Sequence, residues 1–488
     1  MTTMQHEPSL EIAHSWWRKI SLSYVPTQES PLLSDFSANL LSRFRQAGHT
    51  VSEPPGAGTE VLLTTAKFDQ PIRWRDALIF NARRQFNLEH SPTIFTIVEA
   101  TPEDIREKLD YFEEVLKKDP PDPKDFELPG LGPEAYHTLY EQGRRGGPIL
   151  ALLRTVQTQS MSIRVVLVVG HDMPEEAYVF DLVGAHPLIK FANPEQFYED
   201  IMGRIVTAIS TNEITDHELI GEPIPESVWK TLKTPAEMEK AGHELGQRQF
   251  FTEMVLVTNL ATVPAVPDAI ASQYSEGCFA TWDPEIEGLV TTVTGSARPV
   301  VKDKLTDDEL AVIVGVRPDG KGALIRHVEG KRNDPPSSEA VELIKMDKDL
   351  PKIKLENGFE VPVSRSKLHG HRGIRAYSPE HVEHVFLETP YYHYPVSCST
   401  EAQAHAIHNA FSTSAALQDP ADPRQVIFTI LPGHGIVIAE KWVPGKVPFQ
   451  VMWEYMDAGW LVVDNMVPQG VLTFKLDDSG IMILKVEK

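Results

Sequence analysis

Two α/β domains are what this sequence predicts, on three grounds: its length, strands that alternate with helices in its first half, and a proline-rich break near its middle. At 488 residues the chain exceeds what one hydrophobic core normally organises, so two domains of ordinary size are expected. A composition of 41% hydrophobic and 24% charged residues is that of a folded globular chain and argues against extensive disorder. The break is GEPIPESVWKTLKTPA, residues 221–236, where prolines concentrate and periodicity stops. The chain is therefore read as an N-terminal arm and entry loop (1–60), an α/β domain (61–220), a proline-rich linker (221–249), a second domain (250–476) and a final strand (477–488).

In the first half, SDFSANLLSRFRQ (34–46) has an amphipathic helical pattern, and EPPGAGTE leads from it to a strand at 60–66. PTIFTIVE (92–99) reads as a buried strand. Thr101-Pro102-Glu103-Asp104 then places a cap, a proline at the first helical position and two acids in the first turn, opening a helix to about 118. Five prolines between 119 and 137 demand a loop, followed by a helix at 148–156, strands at 162–170 and 177–184, and a helix from Asn193-Pro194-Glu195 to about 210. No catalytic motif stands out in this half.

With 69 acidic against 46 basic residues the net charge is -23, which excludes nucleic acid and anionic membranes as diffuse partners, since phosphate surfaces need clustered Lys and Arg. Cys278 and Cys398 are too few for a secreted disulfide framework, the N-terminus is polar, and no apolar run approaches the ~20 residues of a membrane helix. The expected setting is the cytoplasm, with a small molecule as partner.

Three short signals lie in the second half. LVTTVTGSARP (289–299) is an apolar strand ending in Thr294-Gly295-Ser296 and soon followed by KLTDDELAVI (304–313). Such a turn can present N–H groups and hydroxyls to a phosphate, or can merely join a strand to a helix. Pro335-Pro336-Ser337-Ser338-Glu339 heads the helical pattern AVELIKM. It sets two hydroxyls and a carboxylate at a helix start, either as a site or as a cap. VIFTILPGHGIVIA (426–439) joins two apolar runs through Pro432-Gly433-His434-Gly435, where His434 is a metal ligand, a proton carrier or a plain hairpin residue.

In this order the segments VTG, DKLTDDELAVI, PPSSEAVE and GHGIVIA resemble the class II aldolase/adducin family over about 200 residues, with GCFATWD (277–283) in the place of that family's GNxSxR strand and Cys278 where Asn is usual. The resemblance implies a three-layer α/β/α domain around one divalent-metal site. It implies that Thr294, Gly295, Ser296, Ser337 and Ser338 bind a phosphate or carboxylate, that Glu339 is the acid/base, and that His434 is a metal ligand. The implied activity is that of a metal-dependent lyase or isomerase on a small carbonyl, sugar-like or phosphorylated substrate, working through an enediolate, with Zn or Mn as cofactor. It further implies a homo-oligomer.

The family's HxH pair is missing. VEHVFLETPYYHYP (382–395) puts Phe386 and Glu388 in those positions, and of the two only Glu388 can bind a metal. His369 and His371 (HGH) have the spacing that shares one face of an extended segment, and could complete an altered site with Glu388 and His434. The other reading makes them part of a polar loop, because 350–372 has no counterpart in the family pattern. His405 and His408 read as a solvated helix face. The competing function is a non-enzymatic, adducin-like assembly or ligand-binding protein with a degenerate metal site.

Overall fold

The computed structural model describes residues 19–73, 76–78, 81–118, 148–180, 189–209, 214–248, 250, 277–294, 302–370, 372–387, 399–431, 435–464, 471–476 and 482–487. They fall into two compact units, one ending at Ile209 and one resuming beyond it.

The first unit is built on a seven-stranded sheet of order β2-β1-β3-β4-β5-β6-β7. Its strands are β1 (Ser21–Tyr24), β2 (Thr50–Ser52), β3 (Val61–Lys67), β4 (Thr93–Ala100), β5 (Val165–Gly170), β6 (Pro174–Phe180) and β7 (Ile189–Lys190). The first five are mutually parallel, β6 pairs antiparallel with β5, and β7 antiparallel with β6. Parallel pairing requires crossovers, supplied by α1 (Pro31–Gln46), α2 (Pro102–Leu116) and α3 (Pro148–Gln159), with α4 (Pro194–Ile209) following β7. Fully buried VVLVVG in β5 has the continuous apolar run that a strand covered on both faces needs. Phe36 of α1 meets Phe197 of α4 edge-on at 6.2 Å. Ile105, Phe112 and Val115 of α2 join Leu152 and Val156 of α3 in a core with Val98 and Leu167.

The expected start of α2 is realised: Thr101 Oγ1 accepts from the Asp104 N–H at 3.1 Å, and the Asp104 carboxylate accepts from the Thr101 N–H at 2.9 Å. The expected arm at 1–60 is different from 19 onward. β1 and β2 belong to the sheet, with α1 connecting them, and β1 lies between β2 and β3. Its four residues SLSY carry little apolar signal, and pairing on both edges makes the strand.

The second unit holds a nine-stranded sheet of order β17-β18-β19-β15-β9-β10-β11-β12-β8. These are β8 (Glu218–Leu219), β9 (Cys278–Asp283), β10 (Gly288–Thr292), β11 (Leu310–Val316), β12 (Ala323–Arg326), β15 (Ser364–Gly370), β17 (Val382–His384), β18 (Val426–Leu431) and β19 (Gly435–Lys441). Its longer helices are α5 (Thr234–Gln247), α6 (Ala340–Lys345), α7 (Glu401–Ser412) and α8 (Gln450–Asp457). A hairpin, β13 (Lys352–Lys354) with β14 (Glu360–Pro362), precedes β15. β16 (Gly373–Tyr377), β20 (Leu461–Asp464), β21 (Val471–Leu476) and β22 (Met482–Glu487) form a smaller sheet.

Two expectations change here. The stretch 221–249, read as a linker, carries α5, whose Met238, Ala241 and Leu245 enter the same core as Phe279 and Phe428. KLTDDELAVI does not open a helix. Thr306 and Glu309 make a reciprocal cap on a single 3-10 turn, and the β-branched run that follows pairs with β10 and β12 on its two edges as β11.

Because Thr101 caps α2 through a part-buried reciprocal pair, Thr101→Ala is expected to lower stability by about 1 kcal/mol, read from the urea midpoint at unchanged slope. No change in midpoint would remove the cap from the account.

Candidate functional site

β15 is the strand that organises the site. The register pairs His369 with Cys278 of β9 on one side and with Val437 of β19 on the other, and Val437 with Thr429 of β18. Residues opposite one another across antiparallel strands share a face, so Cys278, His369, Val437 and Thr429 form a buried row across four strands. Gly277 precedes Cys278 at φ +72, and a Cβ there would lie 2.4 Å from the His369 carbonyl oxygen. Glycine is thus what lets the start of β9 approach β15 so closely.

The end of β10 meets the segment that leads into α6. Thr294 N–H donates to the Pro335 carbonyl at 2.8 Å and Ser337 N–H to the Thr292 carbonyl at 2.9 Å, around a bridge between Val293 and Pro336. Val293 and Thr294 are therefore neighbours of Pro335 to Ser337 in space. The chain then turns into α6 with Glu339 at the N-cap and no side-chain capping bond, so Ser337 and Ser338 do not serve as the cap that one reading of the sequence allowed.

Glu339, 5% exposed, brings Oε2 to 2.9 Å from Nε2 of His369, which is 0% exposed. The Nδ1 of His369 lies 3.1 Å from the Ile436 carbonyl oxygen. A carbonyl only accepts, so Nδ1 carries hydrogen. The Nε2 edge then has two consistent states: neutral imidazole accepting from a protonated Glu339, or imidazolium facing a carboxylate. Either way one proton belongs between Nε2 and Oε2.

More polar groups surround this pair. Glu342, one turn further along α6, is fully buried and accepts from Gln403 Nε2 at 2.9 Å on each oxygen. Burial, followed by the charge of Glu339, pushes its carboxyl well above the ordinary range. Burial, again followed by Glu339, also raises the Cys278 thiol, while Lys302 and a hydrogen bond with Ser337 oppose the rise. Beyond the row, Lys367 of β15 is buried against Asp347 just after α6.

Of the residues singled out by sequence, the structure thus brings together Thr294, Ser337, Glu339 and His369, with half-buried Ser338 beside them in the chain. Gly295, Ser296, His371, Glu388 and His434 lie outside the described residues. The polar-loop reading of 350–372 is corrected: His369 sits on an interior strand of the main sheet, where Glu339 at the head of α6 faces it and Asp347 just beyond α6 pairs with Lys367. Phe386 is 54% exposed. His405 lies exposed on α7, as expected, whereas His408 is half-buried with Nε2 2.9 Å from Asp349. Sequence reasoning missed Glu342 and Gln403. An acid inside the apolar run AVELIKM was the available signal for the first.

The Zn or Mn implied by the resemblance needs imidazole and carboxylate donors. His369 turns Nδ1 to the Ile436 carbonyl, an orientation that also suits a ligating imidazole, and Nε2 to Glu339 at 2.9 Å. Among the described residues no three of His, Cys, Asp and Glu gather as a ligand set.

In the first unit the strand order reverses direction at β1, and in such sheets ligands bind in the crevice beyond the strand ends at that point. Here Gln28 spans the gap, accepting from Lys67 N–H at 2.6 Å and donating to the Gln70 carbonyl at 2.8 Å. Thr27 closes on Thr64 at 2.7 Å.

No family model matches this chain, and no curated protein matches it. Among solved structures, L-fuculose 1-phosphate aldolase, a class II aldolase, is similar at 12% identity over 44% of this chain and 77% of that one, with a TM-score of 0.24. That likeness is weak and carries no argument. No helix among the described residues is long and apolar enough to cross a membrane.

His384 of β17 supplies a pH test of this part of the fold. It stacks on Phe428 at 4.6 Å, and burial lowers its pKa to about 3. The folded chain holds it neutral while the unfolded chain protonates near pH 6.5, so stability is lost as pH falls from there towards 3. His384→Phe is expected to flatten that part of the stability profile. An unchanged slope would contradict the burial argument.

Proposed function

We propose that the second unit catalyses proton transfer on a small carbonyl compound of sugar-like or phosphorylated type, as a lyase or isomerase of class II aldolase type, with Glu339 as the acid/base. The observation that carries this reading is the buried approach of the Glu339 carboxyl to the His369 imidazole, 2.9 Å apart. Glu339 removes a proton from the carbon beside the carbonyl, which leaves an enediolate, and His369 receives or returns charge through Nε2. Thr294, Gly295, Ser296, Ser337 and Ser338 bind the substrate's phosphate or carboxylate through hydroxyls and N–H groups. Cleavage, epimerisation and dehydration all use that intermediate.

No step here runs through a metal ion. In this reading a Zn or Mn ion belongs to His371, Glu388 and His434, and elemental analysis of protein purified without chelators tests it. A homo-oligomer is part of the same reading, tested by light scattering.

The second reading is the adducin-like one, an assembly or ligand-binding domain without catalysis. Two observations favour it: the exposed Phe386 stands in a family ligand position, and His369 is tied into the sheet. No stoichiometric ion and no turnover together would decide for it.

The deciding experiment incubates the chain in D2O with a panel of hydroxyaldehydes, hydroxyketones and their phosphates. Deuterium is expected at the carbon beside the carbonyl of at least one. Glu339→Gln is expected to slow incorporation by roughly 10²–10⁴-fold with far-UV dichroism unchanged. Exchange that survives Glu339→Gln at full rate would sink the assignment.

A further inference from the structure

We propose that Gln403 of α7 is a positioning residue for the acid/base: through Glu342 it fixes the first turn of α6, and with it the Glu339 carboxyl, against β15. The inference deepens the role proposed for Glu339 and rests on it. No proton transfer is assigned to Gln403 or Glu342.

α6 is six residues long and has no side-chain cap. A helix that short does not hold itself in place, so the direction of Glu339 at its N-cap has to be imposed by neighbouring elements. Glu342 supplies the connection. It lies three positions beyond Glu339, on the same side of the helix, and its N–H donates to the Glu339 carbonyl at 3.1 Å. Its carboxyl is fully buried, and each oxygen accepts from Gln403 Nε2 at 2.9 Å. The N–H of Ser399 is a further donor to it.

Gln403 is itself tied down. It is fully buried in the first turn of α7, where its N–H donates to Thr400 Oγ1 at 3.1 Å. Thr400 is the N-cap, and its carbonyl accepts from the Ala404 N–H at 3.0 Å. Ser399, just before it, has φ 56 and lends its N–H to Glu342 while its carbonyl accepts from the Ile214 N–H at 3.2 Å. A connected path thus runs from the capped start of α7 through Gln403 and Glu342 to Glu339. It ends at His369, whose Nε2 lies 2.9 Å from Glu339 Oε2.

Packing alone does not call for this pair. α6 already buries Ala340, Val341 and Leu343, and α7 buries Ile407 and Phe411. A buried carboxyl costs free energy unless it is partnered, whereas replacing both partners by apolar side chains of the same shape is nearly neutral for stability. What an apolar pair lacks is direction. Hydrogen bonds to both carboxyl oxygens fix the rotation of α6 about its axis, and an acid/base group works only if the residues behind it hold it to within about half an ångström.

The test uses the whole chain and the same deuterium exchange. The double variant Glu342→Met with Gln403→Met removes both partners, so neither is left buried alone. Its thermal midpoint is expected to stay near that of the unaltered chain, while kcat falls about a hundredfold at unchanged KM. The conservative Glu342→Gln keeps an acceptor for Gln403 and is expected to recover most of that rate. Gln403→Asn, whose amide falls one carbon short, is expected to match the double variant and replaces it if the double variant does not fold. Full-rate exchange in the double variant or in Gln403→Asn would overturn the positioning role, as would a Glu342→Gln as slow as the double variant. The His369 ring nitrogens give a readout that needs no turnover: the Nε2 signal is expected to persist in Glu342→Gln and to move in the double variant and in Gln403→Asn. An unmoved signal in those two would overturn the positioning role, whereas absence of exchange in the unaltered chain counts against the role of Glu339 alone.

Discussion

The second unit is organised around the contact between the Glu339 carboxyl and the His369 imidazole. It binds α6, which lies on one face of the sheet, to an interior strand of that sheet. It depends in turn on an unbroken register through β9, β15, β19 and β18, because a one-residue slip of β15 would send His369 to the opposite face. Gly277 keeps the β9 end of that row close, and the Ile436 carbonyl fixes the ring's tautomer from the β19 side. Pro335 to Ser337 runs beside Thr292 to Thr294 at the end of β10 and so delivers Glu339 to the His369 side of the sheet.

The face carrying this contact is unusually polar for a protein interior. Lys367 with Asp347, Glu342 with Gln403, and Cys278 with Ser337 are all buried beside apolar strands. Each such group costs free energy unless partnered, and breaking one side of a buried ion pair typically costs 3–5 kcal/mol. An apolar packing of α6 would have served stability alone at least as well. Polar burial of this kind shifts proton affinities and fixes tautomers, which supports the acid/base role proposed for Glu339.

How much of this could be read from the sequence depended on whether the signal was local. The cap at Thr101, the helix from Pro102 and the apolar runs of β4, β5, β18 and β19 were legible, because their determinants lie within a few residues. β1 and β8 were not, being short strands made by their neighbours. The DDEL turn before β11 imitates a helix start, and only pairing with β10 and β12 decides for a strand. His369 was read as a metal ligand or as a loop residue, because SRSKLHG looks solvated until Asp347 and Glu339 are seen to meet its polar side chains. Glu339 was legible from its place after two serines. Its partner was not, because 30 positions of sequence, with a hairpin between them, separate the two.

The most direct test of the central contact is nitrogen NMR of the His369 ring, with Glu339→Gln as the reference. The account predicts a protonated Nδ1, a second proton on the Nε2 edge shared with Glu339, and loss of that second signal in Glu339→Gln. A ring bare at Nδ1, or one whose spectrum ignores Glu339→Gln, would contradict it.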